Sequence, residues 1–155
     1  MYGIIATWRM ALEGISKADS MLKNNESAAD SIEEAIKAVE DFEYYKSVGY
    51  GGLPNEEMEV ELDAAFMDGD TLEFGCVGGV KDFANPVSIA RSLMHYDANN
   101  FLIGQGAEKY ASRHGFERKT MLTDRAKIYY HNRTKEITNT ELKPYSGHDT
   151  VGMVC

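Results

Sequence analysis

Apolar positions along the chain follow two periods, and the changes between them mark the predicted elements. Residues 2–8 (YGIIATW) are short, apolar and partly β-branched, which predicts a buried strand ending at a large aromatic. From 9 to 22, Met10, Leu12, Ile15, Ala18, Met21 and Leu22 recur near helical spacing, and Asn24-Asn25 supplies a stop. A second helix over 27–41 has a clearer stripe: Ala28, Ile32, Ala35, Ile36 and Val39 share one face. Asp30, Glu33, Glu34, Lys37 and Glu40 are expected to face water, and the acidic first half suits the positive end of the helix dipole.

The pattern then breaks at 47–57 (SVGYGGLPNEE), where three glycines and a proline predict a shaped loop with an unusual backbone path. Residues 58–67 and 72–80 read as the two strands of a hairpin, with Asp68-Gly69-Asp70 as its turn. Gly75, Gly78 and Gly79 would admit close approach of another backbone or a ligand. Asn85-Pro86 reads as an N-cap and first helical position for a helix through Ile89, Ala90, Leu93 and Met94. A short buried strand is expected at 100–104, a short helix at 107–114, and a more exposed helix at 124–135. Residues 138–147 are polar, lack apolar periodicity and read as a mobile tail. His148, Asp149 and Thr150 then precede the apolar Val151, Met153 and Val154, like the mouth of a buried strand with a hydroxyl at its edge. The order predicts a mixed α/β (α+β) fold whose sheet is only partly supplied by this chain.

A length of 155 residues allows one domain with an ordinary core. The net charge of -9 is concentrated, with fifteen acidic residues between 26 and 73 against Lys37 and Lys46, a surface that would repel nucleic acid and anionic lipid. Later basic residues, from Arg113 to Lys135, are spread and not bunched, as on a solvated face. No basic leader followed by an apolar stretch occurs and no window could span a bilayer, so the expected location is cytoplasmic, with no membrane partner. Cys76 and Cys155 lack CxxC spacing and read as free thiols. Gly104-Gln-Gly106 meets Lys109 where a dinucleotide fingerprint needs a third glycine. The four histidines form no paired spacing, and the acidic run 56–63 alternates without a calcium-loop pattern, so no metal and no cofactor are expected.

Several segments in fixed order carry a family resemblance: Thr7-Trp8 closing the first strand, SVGYGGLPN at 47–55, ELDAAFMDG at 61–69, NPVSIAR at 85–91, GQGAEKYA at 104–111 and HDTVGMV at 148–154. Together they resemble glycosylasparaginase, among the N-terminal-nucleophile (Ntn) hydrolases. The resemblance implies part of a four-layer αββα sandwich. It also implies a precursor that cuts itself before the threonine of HDT, here at Asp149-Thr150. On that reading residues 1–149 are an α-subunit part, and 150–155 begin a β subunit whose remainder is missing from this chain.

Thr150 is then the implied catalytic nucleophile, with His148 and Asp149 assisting autoprocessing. A threonine hydroxyl needs a base, and the α-amine freed by cleavage, with an ordinary pKa of about 7.7–8.0, would supply one. Trp8 matches the family's pocket tryptophan and Ser47 a serine close to the nucleophile. The implied partners are the β subunit, a small asparagine or glycoasparagine substrate, and further αβ units in a homo-oligomer. The substrate-clamping arginine and aspartate and the oxyanion donors would lie downstream, so this chain alone is expected to be inactive. Two departures stand out: Cys76, and Met58 where a glycine is usual. The alternatives are a plant-type asparaginase or isoaspartyl peptidase, in which a glycine usually precedes the threonine, and a non-catalytic truncated α-like protein.

Overall fold

A computed structural model describes residues 1–139 and 150–155, with side chains described through 135 and again from 150. Strand β1 (Ile5–Ala6) leads through a single 3-10 turn (Arg9–Ala11) into helices α1 (Leu12–Lys23) and α2 (Ala28–Glu40). The hairpin β2 (Glu61–Met67) and β3 (Phe74–Lys81) follows, then α3 (Pro86–Leu93), β4 (Phe101–Ile103), α4 (Gly104–Arg113), α5 (Asp124–Asn139) and β5 (Met153–Val154). The mixed α+β class is as the sequence predicts.

The strands form two small sheets. In one, β2 and β3 run antiparallel and β4 pairs parallel to β3, so β3–α3–β4 is a crossover unit. In the other, β1 and β5 pair antiparallel, Ile5 opposite Val154 and Ala6 opposite Met153. Helices α3 and α4 cover one face of the three-stranded sheet, where Phe66, Val77, Val80, Ile89, Leu93 and Ala107 form the core. Close approach of α3 depends on Gly75: a Cβ there would sit 2.0 Å from the carbonyl oxygen of Ala90. The antiparallel pair α1 and α2 is drawn together in the same way, with Gly14 against the backbone of Ala35. Ser27 caps α2 by accepting from the Asp30 amide at 3.0 Å.

Several expectations change. The first strand is two residues long, and Ile5 (72% exposed) and Trp8 (51% exposed) are not buried. In β4, Phe101 and Ile103 are exposed too. These apolar side chains belong to sheet surface that no element of the described residues covers. Leu12, one of the apolar positions that recur near helical spacing over 9–22, is exposed as well. Thr138 and Asn139 belong to α5, while 140–147, the rest of the predicted tail, lie outside the described residues. Among the described residues no helix is long and apolar enough to cross a membrane, and no cluster of His, Cys, Asp or Glu could hold a metal ion.

Candidate active site

The site is assembled at the C-terminal end of α2. Glu40, the last residue of that helix, lies one row beyond Ile32 and Ile36 and is 4% exposed. Glu40 was expected to face water, and the structure reverses this: positions 32, 36 and 40 are four apart, so the third follows the first two inward. That spacing was the available signal, and the residue type obscured it.

The buried carboxylate of Glu40 reaches the start of α3. Its Oε1 accepts from the backbone N–H of Val87 at 3.2 Å, and the Asn85 amide lies 3.4 Å from Oε2. Asn85 holds the N-cap position as predicted, but its backbone is left-handed (φ 49) and its side chain makes no cap bond. It turns instead to Asp41 and Glu40. The cap on α3 is therefore supplied from another helix, and Pro86 needs none because it has no N–H. Burial is the main cause that pushes the Glu40 carboxyl up to about 7, opposed by the bonds from Asn85 and Val87.

The loop leaving α2 is folded back onto the same residue. The Tyr50 N–H donates to the Glu40 carbonyl at 2.7 Å, and Gly49 (φ +58) passes so close that a Cβ would stand 2.0 Å from that oxygen. Only glycine satisfies both demands. Lys46 closes the loop from inside, its ammonium donating to the carbonyls of Glu43 (2.8 Å) and Gly51 (3.1 Å). Partial burial holds the Lys46 pKa below the usual lysine value, with Arg125 pushing the same way. Ser47 sits between these anchors. The irregular path predicted for 47–57 is thus held by bonds to its own flanks and by the Gly51 N–H, which donates to the Met121 carbonyl at 2.8 Å.

The segment from Thr150 arrives from the far end of the chain. Gly152 donates to Thr7 Oγ1 at 2.8 Å, and the Thr7 N–H donates to the Gly152 carbonyl at 2.9 Å. This reciprocal clasp extends the β1·β5 pairing by one residue and brings 150–153 against α2, where Val151 and Met153 pack on the cluster containing Ile36 and Phe66. The result is a cavity of about 530 Å³ whose walls include Ser47, Gly49, Glu40, Val87, Asp63 and Thr150. That size suits a small-molecule ligand.

Of the five residues singled out from the sequence, Thr150 and Ser47 are brought to this one cavity. Trp8 is not among its walls; it stands at the end of β1, one residue past the clasp, with φ 65 and ψ 154. That region is almost confined to glycine and stores about 1–3 kcal/mol of strain in any other residue. His148 and Asp149 lie outside the described residues. Met58, which replaces a usual glycine, adopts φ +61, as a glycine would. Cys76 is half-buried on β3, opposite Ala65 and Phe101.

Comparison with known proteins places the chain in a family. The sequence model of a family described as Asparaginase matches residues 6–155. The chain is 31% identical over 151 residues to an N(4)-(β-N-acetylglucosaminyl)-L-asparaginase of Elizabethkingia miricola, covering 97% of this chain and 44% of that protein. It is 37% identical over 141 residues to a plant-type L-asparaginase of Thermococcus kodakarensis, 90% of this chain and 42% of that one. It is 38% identical over 122 residues to an isoaspartyl peptidase/L-asparaginase of Rattus norvegicus, 74% and 36% respectively. The chain spans less than half the length of these curated relatives. With the match running from the first strand to the last residue, the chain belongs to the asparaginase family of Ntn hydrolases.

Proposed function

We propose that this chain carries the nucleophile-forming part of a self-processing amidohydrolase that acts on the side-chain amide of asparagine-type substrates. The observation that carries the reading is the convergence of Thr150 and Ser47 on one cavity from positions about a hundred residues apart. Thr150 Oγ attacks the carbonyl carbon of Asp149, the peptide C–N bond breaks, and the α-amine of Thr150 takes the proton. Water then hydrolyses the resulting ester, leaving an Asp149 carboxylate and an N-terminal Thr150. The freed amine serves as base for the same residue. Oγ attacks the substrate amide, ammonia or a glycosylamine departs with the proton, and water releases the acyl group as a carboxylate.

The glycosylated form of the substrate is favoured by Asp149 ahead of the nucleophile and by SVGYGG at 47–52. The higher identities to a plant-type and an isoaspartyl relative favour plain asparagine or a β-aspartyl peptide. Comparing turnover of N4-glycosylated asparagine, asparagine and a β-aspartyl dipeptide separates the two. The remaining half of such an enzyme would supply oxyanion and carboxylate-binding groups and the second sheet of a four-layer αββα sandwich. Supporting this is the bare apolar face of the three-stranded sheet, where Met67, Phe74, Phe101 and Ile103 are exposed on the side away from α3 and α4.

Intact-mass analysis of the full-length protein tests the nucleophile. Cleavage is expected between Asp149 and Thr150, and Thr150→Ala should leave one uncut, inactive chain. Cleavage elsewhere, or unimpaired cleavage by Thr150→Ala, would refute the reading.

A further inference from the structure

We infer that Glu40 is a positioning residue for the Thr150 cavity: one buried carboxyl fastens the first turn of α3 to the helix end from which the Ser47 loop departs, and so fixes two of the walls that face Thr150. The functional consequence rests on the proposed nucleophile; the structural one does not.

A helix start normally finds its cap within its own chain segment or in water. Here Asn85 is in place to cap α3 and does not, and the acceptor for Val87 is a carboxylate forty-seven residues earlier, buried and lining the cavity. Burying a carboxylate is costly, and an amide or hydroxyl could cap a helix without that penalty. The same residue holds the loop: its carbonyl receives the Tyr50 N–H, and Gly49 rests on its backbone. Side chain and main chain of Glu40 thus govern different walls. Displacing it would move Val87 and Ser47 relative to Thr150 together.

The groups facing the carboxyl make it responsive to protons. From α2 and its end come the carboxylates of Glu33 and Asp41, which oppose ionisation; from α3 come the Asn85 amide and Val87 N–H, which favour it. Strand β2 brings Glu61 and Asp63 to the same cavity. The nearby Arg91 guanidinium is committed to Glu33 and Asp30. Ionised, Glu40 accepts both α3 bonds with full charge; protonated, it holds them weakly. The tight wall and the neutral α-amine of Thr150 are therefore both favoured as pH rises through neutrality. Two deprotonations then gate one site, and log(kcat/KM) should fall on the acid side with a limiting slope near two.

The experiment compares Glu40→Gln, which keeps an acceptor but does not titrate, with Glu40→Ala, both in the full-length protein. Glu40→Ala should lower kcat/KM about tenfold to a hundredfold while still melting cooperatively. Glu40→Gln, neutral like the protonated carboxyl, should hold kcat/KM at pH 8 about tenfold below the parent, with an acid-limb slope of one. An unchanged slope in Glu40→Gln, or a folded Glu40→Ala with parental kcat/KM, overturns the inference. Amide 15N shifts followed against pH give a readout that needs no turnover. Val87 and Ser47 should titrate with one midpoint in the parent and lose it in Glu40→Gln. Titration of Val87 alone would reduce Glu40 to a helix cap and overturn the inference. If the parent hydrolyses no amide at all, the proposed function fails, and the shifts still decide the role of Glu40.

Discussion

Replacing Glu40 by glutamine should change how stability depends on pH, in a direction and window that follow from burial. A carboxyl moved from its ordinary 4.5 to about 7 in the folded state holds its proton more tightly there than in the unfolded chain. Below about pH 4.5 both states are protonated and the folded state keeps its full stability. Between about 4.5 and 7 only the unfolded chain releases the proton, so unfolding becomes progressively easier; above 7 the loss is complete. At about 1.36 kcal/mol per pH unit the loss is about 3 kcal/mol, and the residue is buried enough that solvent screening takes little from it. The other shifted carboxylates act elsewhere on the scale. Asp30 and Glu34 are held below their usual values, chiefly by hydrogen bonds from Ser27 and Lys17 respectively. Their contribution is present above their unfolded values and fades only as pH falls through the folded ones. Urea unfolding of parent and Glu40→Gln at pH 4.8, 6, 7 and 8 isolates the effect. The variant should gain on the parent by about 3 kcal/mol across that range, most of it before pH 7. Parallel curves would mean that Glu40 is solvated or paired in a way this geometry does not allow, and would refute the reasoning.

Three further outcomes follow from backbone geometry. Gly75→Ala should destabilise the protein by about 3 kcal/mol, because its Cβ would fall 2.0 Å from Ala90 O and push α3 off the sheet; a thermal melt within 2 °C of the parent would contradict this. Met58→Gly, at φ +61 and only partly buried, should stabilise by about 0.5–1 kcal/mol in urea unfolding, since left-handed backbone is unfavourable for methionine. Trp8→Gly should likewise raise thermal stability by relieving φ 65, ψ 154, yet lower turnover in the full-length protein; a parallel loss of both would mark Trp8 as a packing residue alone.

Elements with a strong period were legible in the sequence. Helix α2, with its stripe, came within a residue of its observed ends, and the glycine-rich hairpin and Pro86 start were placed correctly. Burial was less legible. IIATW and FLIG read as buried because apolar runs usually are, but burial needs a second surface, and a chain spanning under half of its relatives does not itself contain one for every strand. The converse error fell on Glu40, where charge outweighed a spacing that pointed inward. For the site, local sequence could name Thr150 and Ser47 only through resemblance. Their meeting depends on the long-range Thr7–Gly152 clasp and on Glu40 capping a helix far along the chain, which no local pattern encodes.

The placement of the clasp bears on the proposed self-cleavage. Every described hydrogen bond that anchors the Thr150 segment to β1 is made by Gly152 or beyond, on the downstream side of the Asp149-Thr150 bond. Cutting that bond removes none of them. The new terminus would therefore remain registered against Thr7 while gaining an amine that must reach its own Oγ. Gly152 is two residues from Thr150, near enough to hold its position and far enough to leave the terminal residue free to rotate. On the other side of the cavity, Glu40 and Lys46 fix Ser47 through bonds wholly within 40–51 and to α3, so those walls do not depend on the continuity of the chain at Thr150. A pocket whose two sides are anchored independently of the scissile bond can keep its shape through the cut, which is what a residue that is first the agent of cleavage and then the nucleophile requires.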